Sequence, residues 1–371
     1  MREIRIDRAI ASQRFDKFLQ RYLPEAGSSF LYKQLRKKNI TLNDGKAKGS
    51  EILSEGDVVR IWFSDETLEK FSGSGKKNGQ NPKGDSDVSA PSEDKNSPDG
   101  GKGTERSDRI RGQAQEPAQS RKRKRTEALT PEMIVYEDAD VILINKPAGI
   151  LSQKAKPGDI SLNEMLQAYL FDKGELTEEM LKFYSPSVVN RIDRNTSGLV
   201  LGAKNLAAAR ELSAMLKGRT LQKYYYALVN GQVRGKEHVR AWLVKDKAKN
   251  QVKIFDHPVD GAESIETVYE PVAEAQRCTL LRVELLTGKT HQIRAHLSFI
   301  GHSLVGDVKY GQKSMNSVTR EHTGLSRQFL HSEKVIFPES DGALKSLSWR
   351  CFRAPLPADL QRTLEIFGIR L

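Results

Sequence analysis

The chain has 371 residues, enough for two domains that each bury their own core, and its 60 Lys and Arg against 48 Asp and Glu leave a net charge of +12 that favours a polyanionic partner. Its two cysteines, Cys278 and Cys351, stand in no CxxC spacing, which excludes a disulfide framework and a cysteine-based zinc site. The amino end carries charges where a signal peptide needs an apolar core, and no apolar run approaches the ~18 residues of a membrane span, so the expectation is a cytoplasmic protein with no membrane association.

In chain order, residues 1–63 behave as one unit. "RFDKFLQRYLPEAGSSFLYKQLRKKNI" has apolar residues at helical spacing, is interrupted at Pro24 to Gly27, and restarts after Ser28-Ser29, a plausible cap; two short helices follow. "ITLNDGKAK" and "GDVVRIWF" read as strands, with a turn at Asn43-Asp44-Gly45. Lys33, Arg36 and Lys37 share one helical face, and residues 1–63 hold 13 basic and 8 acidic residues. The helix pair followed by "LNDGKAKGSEILSEGDVVRI" resembles the S-four-type RNA-binding domain, which makes those three side chains candidate RNA contacts. Residues 66–127 are then rich in Gly, Ser, Pro, Asn, Asp and Lys with almost no aliphatics, as in "GSGKKNGQNPKGDSDVSAPSEDKNSPDGGKG", and read as a disordered basic linker closing on "RKRKR" at 121–125. The expected division is 1–65 for the first domain, 66–127 for the linker and 128–371 for the second domain.

The second domain opens with "EMIVYEDADVILINKPAG": strand, acidic turn at Glu137 to Asp140, strand, and a turn at Pro147 to Gly149. "LVLGAK" reads as a strand, "NLAAARELSAMLKG" as a helix capped by Asn205 and stopped by Gly218, and "QKYYYALVNG" as a strand. Strands and helices mix without a regular βαβ period, so the fold class is α+β, with a mixed, mostly antiparallel sheet flanked by helices and loops.

Three stretches bear on chemistry. In "NRIDRNTSGLVLGAK" Asp193 stands between Arg191 and Arg194; alone, such an Asp is more often a turn residue satisfying nearby backbone groups, with the arginines as ion-pair partners. In "LLTGKTHQIRAHLSFIGHSLVGDVKYG" Thr290 reads as a helix cap, Ile293, Leu297 and Ile300 as an apolar stripe, and His291, Arg294 and Ser298 as a different face that could meet an anion. His291 and His296 lie about 140° apart around a helix and cannot clasp one ion from one face, so no metal is expected and His296 reads as a hydrogen-bonded packing residue. In "KYYYALV" strand alternation puts Lys223 and Tyr225 on one face and Tyr224 and Tyr226 on the other; an aromatic beside a cation is what stacking under a nucleobase requires.

"YEDADVILINKPAG", "NRIDRNTSGLVLGAK", "KYYYALVNG" and "TGKTHQIRAHL…GH…GDVKYG" follow one another along the chain in an order and at a spacing that resemble the RluA-type pseudouridine synthases, most of all their large-subunit ribosomal RNA branch, in which an S-four-type domain is often fused. The resemblance covers nearly everything except the linker. It implies an isomerase that detaches uracil from ribose, turns it and rejoins it through a ring carbon, with no cofactor. Asp193 then corresponds to the essential carboxylate, Arg294 to the cation paired with it, Tyr225 to the aromatic that stacks on the target base, and Arg191 to the residue that fills the gap left by a flipped uridine. Lys289 and His291 fall at positions facing RNA. Many relatives have His where this chain has Asn190 and Arg where it has Lys289; lysine keeps the charge but not the planar fork. The implied partner is large-subunit ribosomal RNA, with transfer RNA as the alternative substrate, acted on by a monomer. Two other readings are a noncatalytic RNA-binding assembly factor and a nucleobase glycosylase that would release free uracil.

Overall fold

The computed structural model describes residues 1–72, 128–246, 250–275 and 277–371; the "RKRKR" run and all of the expected linker beyond Ser72 lie outside the described residues. The amino-terminal unit runs β1 (Arg2–Arg5), α1 (Phe15–Tyr22), α2 (Ser28–Arg36), β2 (Ile40–Leu42), β3 (Gly45–Lys46), β4 (Val58–Ile61) and α3 (Asp65–Phe71). Its sheet has the order β1-β4-β2-β3. Phe15, Phe18 and Leu19 recur at the i, i+3, i+4 spacing of one helical face and are fully buried, against Leu31 and Leu35 of α2 and the inward Val59 and Ile61 of β4. Each such side chain contributes about 2 kcal/mol by leaving water. Asn43 and Asp44 both take positive φ, 49° and 62°, as a tight two-residue hairpin turn demands.

Two expectations are corrected here. Gly27, not a serine, occupies the N-cap of α2, with no side-chain cap, and Ser28 is already helical. Composition places the linker from residue 66, yet Asp65–Phe71 forms α3, capped by the Ser64 hydroxyl, and Leu68 and Phe71 pack on the core of this unit. The stretch is too short for its two apolar anchors to stand out from the polar run that follows.

The remaining elements are β5 (Ile134–Glu137), β6 (Val141–Lys146), α4 (Leu162–Asp172), α5 (Glu178–Leu181), β7 (Ser187–Val188), β8 (Ser197–Ala203), α6 (Leu206–Gly218), β9 (Gln222–Asn230), β10 (Glu237–Asp246), β11 (Gln251–Phe255), β12 (Glu263–Ala275), β13 (Cys278–Leu285), α7 (Gln292–Phe299), α8 (Lys313–Thr323), β14 (Leu330–Ile336), β15 (Cys351–Arg353) and α9 (Ala358–Ile366). The strands form one mixed sheet of order β11-β10-β12-β13-β9-β14-β8-β6-β5, with β7 added on β8 and β15 on β14. Among the described strands only β14 and β8 pair in parallel. The central strands are covered on both faces, which explains why β6 and β8 read as continuous apolar runs. Ile142, Ile144 and Val200 face one cluster with α4, while Val141, Leu143, Leu199 and Leu201 face another with α6. Asn205 caps α6 by accepting from Ala208 N, and the left-handed closing position falls on Arg219 (φ 58°) rather than Gly218.

The two units touch. Phe183, just after α5, lies in the core of the amino-terminal unit, stacked on Phe18 at 4.8 Å and 12°. Arg8 donates two hydrogen bonds to Asp140 at 3.0 and 2.6 Å, and Arg21 donates to the Phe183 carbonyl at 2.7 Å. No helix among the described residues is long and apolar enough to cross a membrane.

Candidate active site

Asp193 lies in the loop between β7 and β8, and several independent contacts fix that loop. The Lys146 ammonium, fully buried, donates to the carbonyls of Pro147, Ile150 and Arg194 at 2.9, 2.9 and 3.0 Å. Ser152 both donates to Ile192 O and accepts from Ile192 N, and Gly149 N donates to Arg194 O at 2.8 Å. Downstream, Gly198 (φ 108°) is where β8 passes so close to β14 that a Cβ would sit 2.2 Å from Ser332 O; only glycine fits.

The turn itself is closed by backbone, Thr196 N donating to Asp193 O at 3.0 Å, so the carboxylate is not used as a turn cap. Neither Arg191 nor Arg194 pairs with it. Its partner is Arg294, whose Nη1 donates to Asp193 Oδ2 at 2.8 Å from 101 residues away in sequence. Among the described residues the neighbouring arginines therefore play no ion-pair role, in contrast to the reading of the turn in isolation.

Arg294 stands on the first turn of α7. The helix starts one residue later than a Thr290 cap requires, because His291 takes a left-handed conformation (φ 54°) and leaves the N-cap without a side-chain bond. Gln292 does the local anchoring instead: its Oε1 accepts from Lys289 N and Thr287 Oγ1, and its Nε2 donates to Glu266 O and Thr267 Oγ1. The guanidinium is then gripped from behind, Nε and Nη2 donating to Asp307 Oδ2 and Oδ1 at 2.7 and 2.9 Å. Asp307 is fully buried and also accepts from the backbone N–H groups of Lys309 and Tyr310. Burial alone would push its carboxyl up, but the bonds and charge of Arg294 and those two N–H groups hold it below the usual range. Burial likewise works against the Arg294 charge, and Asp307 followed by Asp193 reverse the balance and raise its pKa. The result is a cation locked in its ionised form, with one edge spent on Asp307 and an Nη1–H turned to Asp193.

The Tyr310 ring lies 5.3 Å from the guanidinium carbon, and its hydroxyl contacts His291 Nδ1 at 3.0 Å. His291 Nε2 is 3.9 Å from Asp193 Oδ2, and burial pulls the imidazole pKa down, against the charge of Asp193. Tyr225, on β9 opposite Ser332 of β14, is 4 % exposed; burial, with a smaller push from the Asp193 charge, raises its phenol to about 12, so it is neutral at physiological pH.

Arg191, Asp193, Tyr225, Lys289, His291 and Arg294 all line one small pocket of about 50 Å³. That is room for about one or two waters. It adjoins a cavity of about 440 Å³ through Arg191, Tyr225, Leu285 and Lys289. Arg191 is exposed and makes no ion pair among the described residues, whereas Lys289 contacts Glu263. Lys33, Arg36 and Lys37 are exposed on the last turns of α2 and beyond it, in the other unit. His296 bonds Thr267 Oγ1 through Nδ1 at 3.0 Å, deep in the core, with burial lowering it to about 4. Sequence reasoning assigned no role to Lys146, Asp307 or Tyr310, although the last two lie in the quoted "GDVKYG". The available signal was that a buried arginine needs more acceptors than one aspartate supplies.

Residues 140–299 match a family model described as RNA pseudouridylate synthase. The chain is 32% identical over 363 residues to the ribosomal large subunit pseudouridine synthase C of Vibrio vulnificus (strain CMCP6), covering 97% of this chain and 94% of that protein. With the protein of the same name from Escherichia coli (strain K12) it shares 28% over 360 residues, 96% and 93% of the two chains. A solved structure, human RNA pseudouridylate synthase domain containing 4, has a similar fold: TM-score 0.52 at 19% identity, over 64% of this chain and 94% of that one.

Proposed function

The chain belongs to the RNA pseudouridine synthases, and from that premise we propose that it isomerises specific uridines of large-subunit ribosomal RNA, with Asp193 as the catalytic residue. The observation that carries this reading is the convergence of Asp193, Arg294 and Tyr225 on one pocket from a loop, a helix and a strand. The isomerisation breaks the bond between uracil N1 and ribose C1′ and forms one from a ring carbon to C1′, so product and substrate have the same atoms. A carboxylate at the sugar can serve as nucleophile or as base during that exchange. Arg294 aims it, since two of its hydrogen bonds fix the guanidinium and the third fixes the carboxylate. Tyr225 offers its ring beside that carboxylate for stacking under the base.

A uridine within an RNA helix is out of reach of a carboxylate in such a recess, so the base is flipped out, and exposed Arg191 at the rim enters the gap. Lys289 and His291 flank the same opening. We read the amino-terminal unit, through α3, as an S-four-type RNA-binding domain, supported by the exposed Lys33, Arg36 and Lys37, which make no ion pair among the described residues, and 128–371 as the catalytic domain. Phosphate contacts from the first position the RNA, and the pocket of the second acts on it.

The test is Asp193→Asn, assayed on unmodified large-subunit ribosomal RNA with pseudouridine mapping. RNA binding persists and isomerisation is lost; a variant that still forms pseudouridine at the wild-type rate refutes the assignment. Free uracil in the wild-type reaction would assign a glycosylase instead.

A further inference from the structure

The 440 Å³ cavity beside the catalytic pocket has a cationic lining: Lys217 and Arg219 from the end of α6, Lys223 from the start of β9, and Arg191 and Lys289 at its junction with the catalytic pocket. No carboxylate is among its lining residues. At the rim the charges are partly answered, Arg219 by Glu266 at 3.7 Å and Lys289 by Glu263. Lys223 is different. It is only 7 % exposed, it faces the cavity on the same side of β9 as Tyr225, and among the described residues its ammonium has neither a hydrogen bond nor an ion pair. Burial, helped by the charge of Arg219, pulls its pKa down. A buried, unanswered ammonium costs stability, and an apolar residue of the same length would be preferred if the position served packing alone. The volume lies within the range of sites that enclose small ligands, and the only chemistry that answers every charged group on the wall is an anion.

We propose that this cavity is a phosphodiester site, taking the phosphate on one side of the uridine held at Asp193, with Lys223 as its buried cation and Arg219 and Lys217 as its outer ones. The proposal rests on the reading of Asp193 as the catalytic centre only for the identity of the neighbouring nucleotide; the site itself is defined by RNA binding. Because the cavity shares Tyr225 with the catalytic pocket, a strand whose base stacks on that ring carries its own backbone past Lys223. The site thus reads no sequence, but fixes how far a flipped nucleotide is drawn in.

The experiment compares Lys223→Met and Lys223→Arg with the parent, all carrying Asp193→Asn so that turnover does not enter. Binding of an unmodified large-subunit ribosomal RNA transcript is measured across salt concentrations, together with thermal unfolding. Lys223→Met weakens binding about tenfold and lowers the slope of log affinity against log salt by roughly 0.7–0.9, the share of one phosphate. Its unfolding midpoint stays level or rises, which a structural role for the lysine would not allow; Lys223→Arg retains the salt slope. In an oligoribonucleotide spanning the mapped uridine, a neutral methylphosphonate at one flanking linkage weakens the parent about tenfold and Lys223→Met not at all. Unchanged binding by Lys223→Met, or equal methylphosphonate sensitivity in both proteins, overturns the proposal. Persistent isomerisation by Asp193→Asn would overturn the catalytic assignment while leaving this binding comparison intact.

Discussion

Replacing Asp307 with asparagine removes one negative charge from a fully buried site without changing the size of the side chain. Arg294 then keeps at best one of the two hydrogen bonds that grip its Nε and Nη2, because the amide NH₂ presents a donor to a donor. One charge-assisted bond is worth about 1.5–3 kcal/mol, and losing one partner of a buried ion pair costs about 3–5 kcal/mol. The charge of Asp193 remains within reach of the guanidinium and offsets part of this, so the net loss of folding stability is about 3 kcal/mol. The catalytic effect is separate. Arg294 is no longer held from behind, and a displacement of about 1 Å in a positioning group costs about a hundredfold in rate. The assay is pseudouridine formation under single-turnover and saturating conditions, alongside urea unfolding. The expected pattern is a kcat lower by about two orders of magnitude with RNA affinity within about threefold of wild type. Wild-type kcat in a protein destabilised by the stated amount would show that Arg294 needs no support from Asp307, and the reasoning would fail.

Two further outcomes are expected. His296 and His331 are buried and held at about 4, against about 6.5 when free, with burial the leading cause for both. Between those limits each binds a proton in the unfolded chain but not in the folded one. Stability is therefore complete above pH 6.5 and falls as the solution is acidified, by roughly 2 kcal/mol per histidine at pH 5; urea unfolding at pH 7 and 5 measures the drop, and a level profile refutes it. Phe183→Ala deletes the ring stacked on Phe18 and loosens the amino-terminal unit by about 3 kcal/mol. Amide exchange in residues 1–72 should accelerate while that of β8 and β9 does not; uniform exchange would show that the ring carries no such load.

Much of this protein is legible along the chain because the central strands obey simple periods. "VILINK" and "LVLGAK" announce doubly covered strands, "NLAAARELSAMLKG" announces its own cap, and the Asn-Asp-Gly turn dictates its hairpin. Errors gather where the backbone departs from what side chains advertise. Thr290 has the right chemistry for a cap, but a left-handed His291 shifts the helix start, and no local pattern foretells a positive φ at this histidine. In the candidate site, the residues proposed for the chemistry stand out along the chain and their supports do not. Asp193, Tyr225 and Arg294 carry their chemistry within recognisable blocks, whereas the grip of Asp307 on Arg294, 13 residues away in the same block, and of Lys146 on Arg194 O are relations in space that no spacing along the chain spells out. Their residue types are uninformative until the fold brings them together.

The aromatic plug contributed by Phe183 means that a fragment cut after Ser72 would lack a wall of its own interior. Dissecting this protein into excised halves would thus create a hollow that the intact molecule never has. Weak nucleic-acid affinity in the shorter piece would report that hollow as much as any property of its basic helix, and a cleaner dissection leaves the chain whole and neutralises Lys33, Arg36 and Lys37 in place.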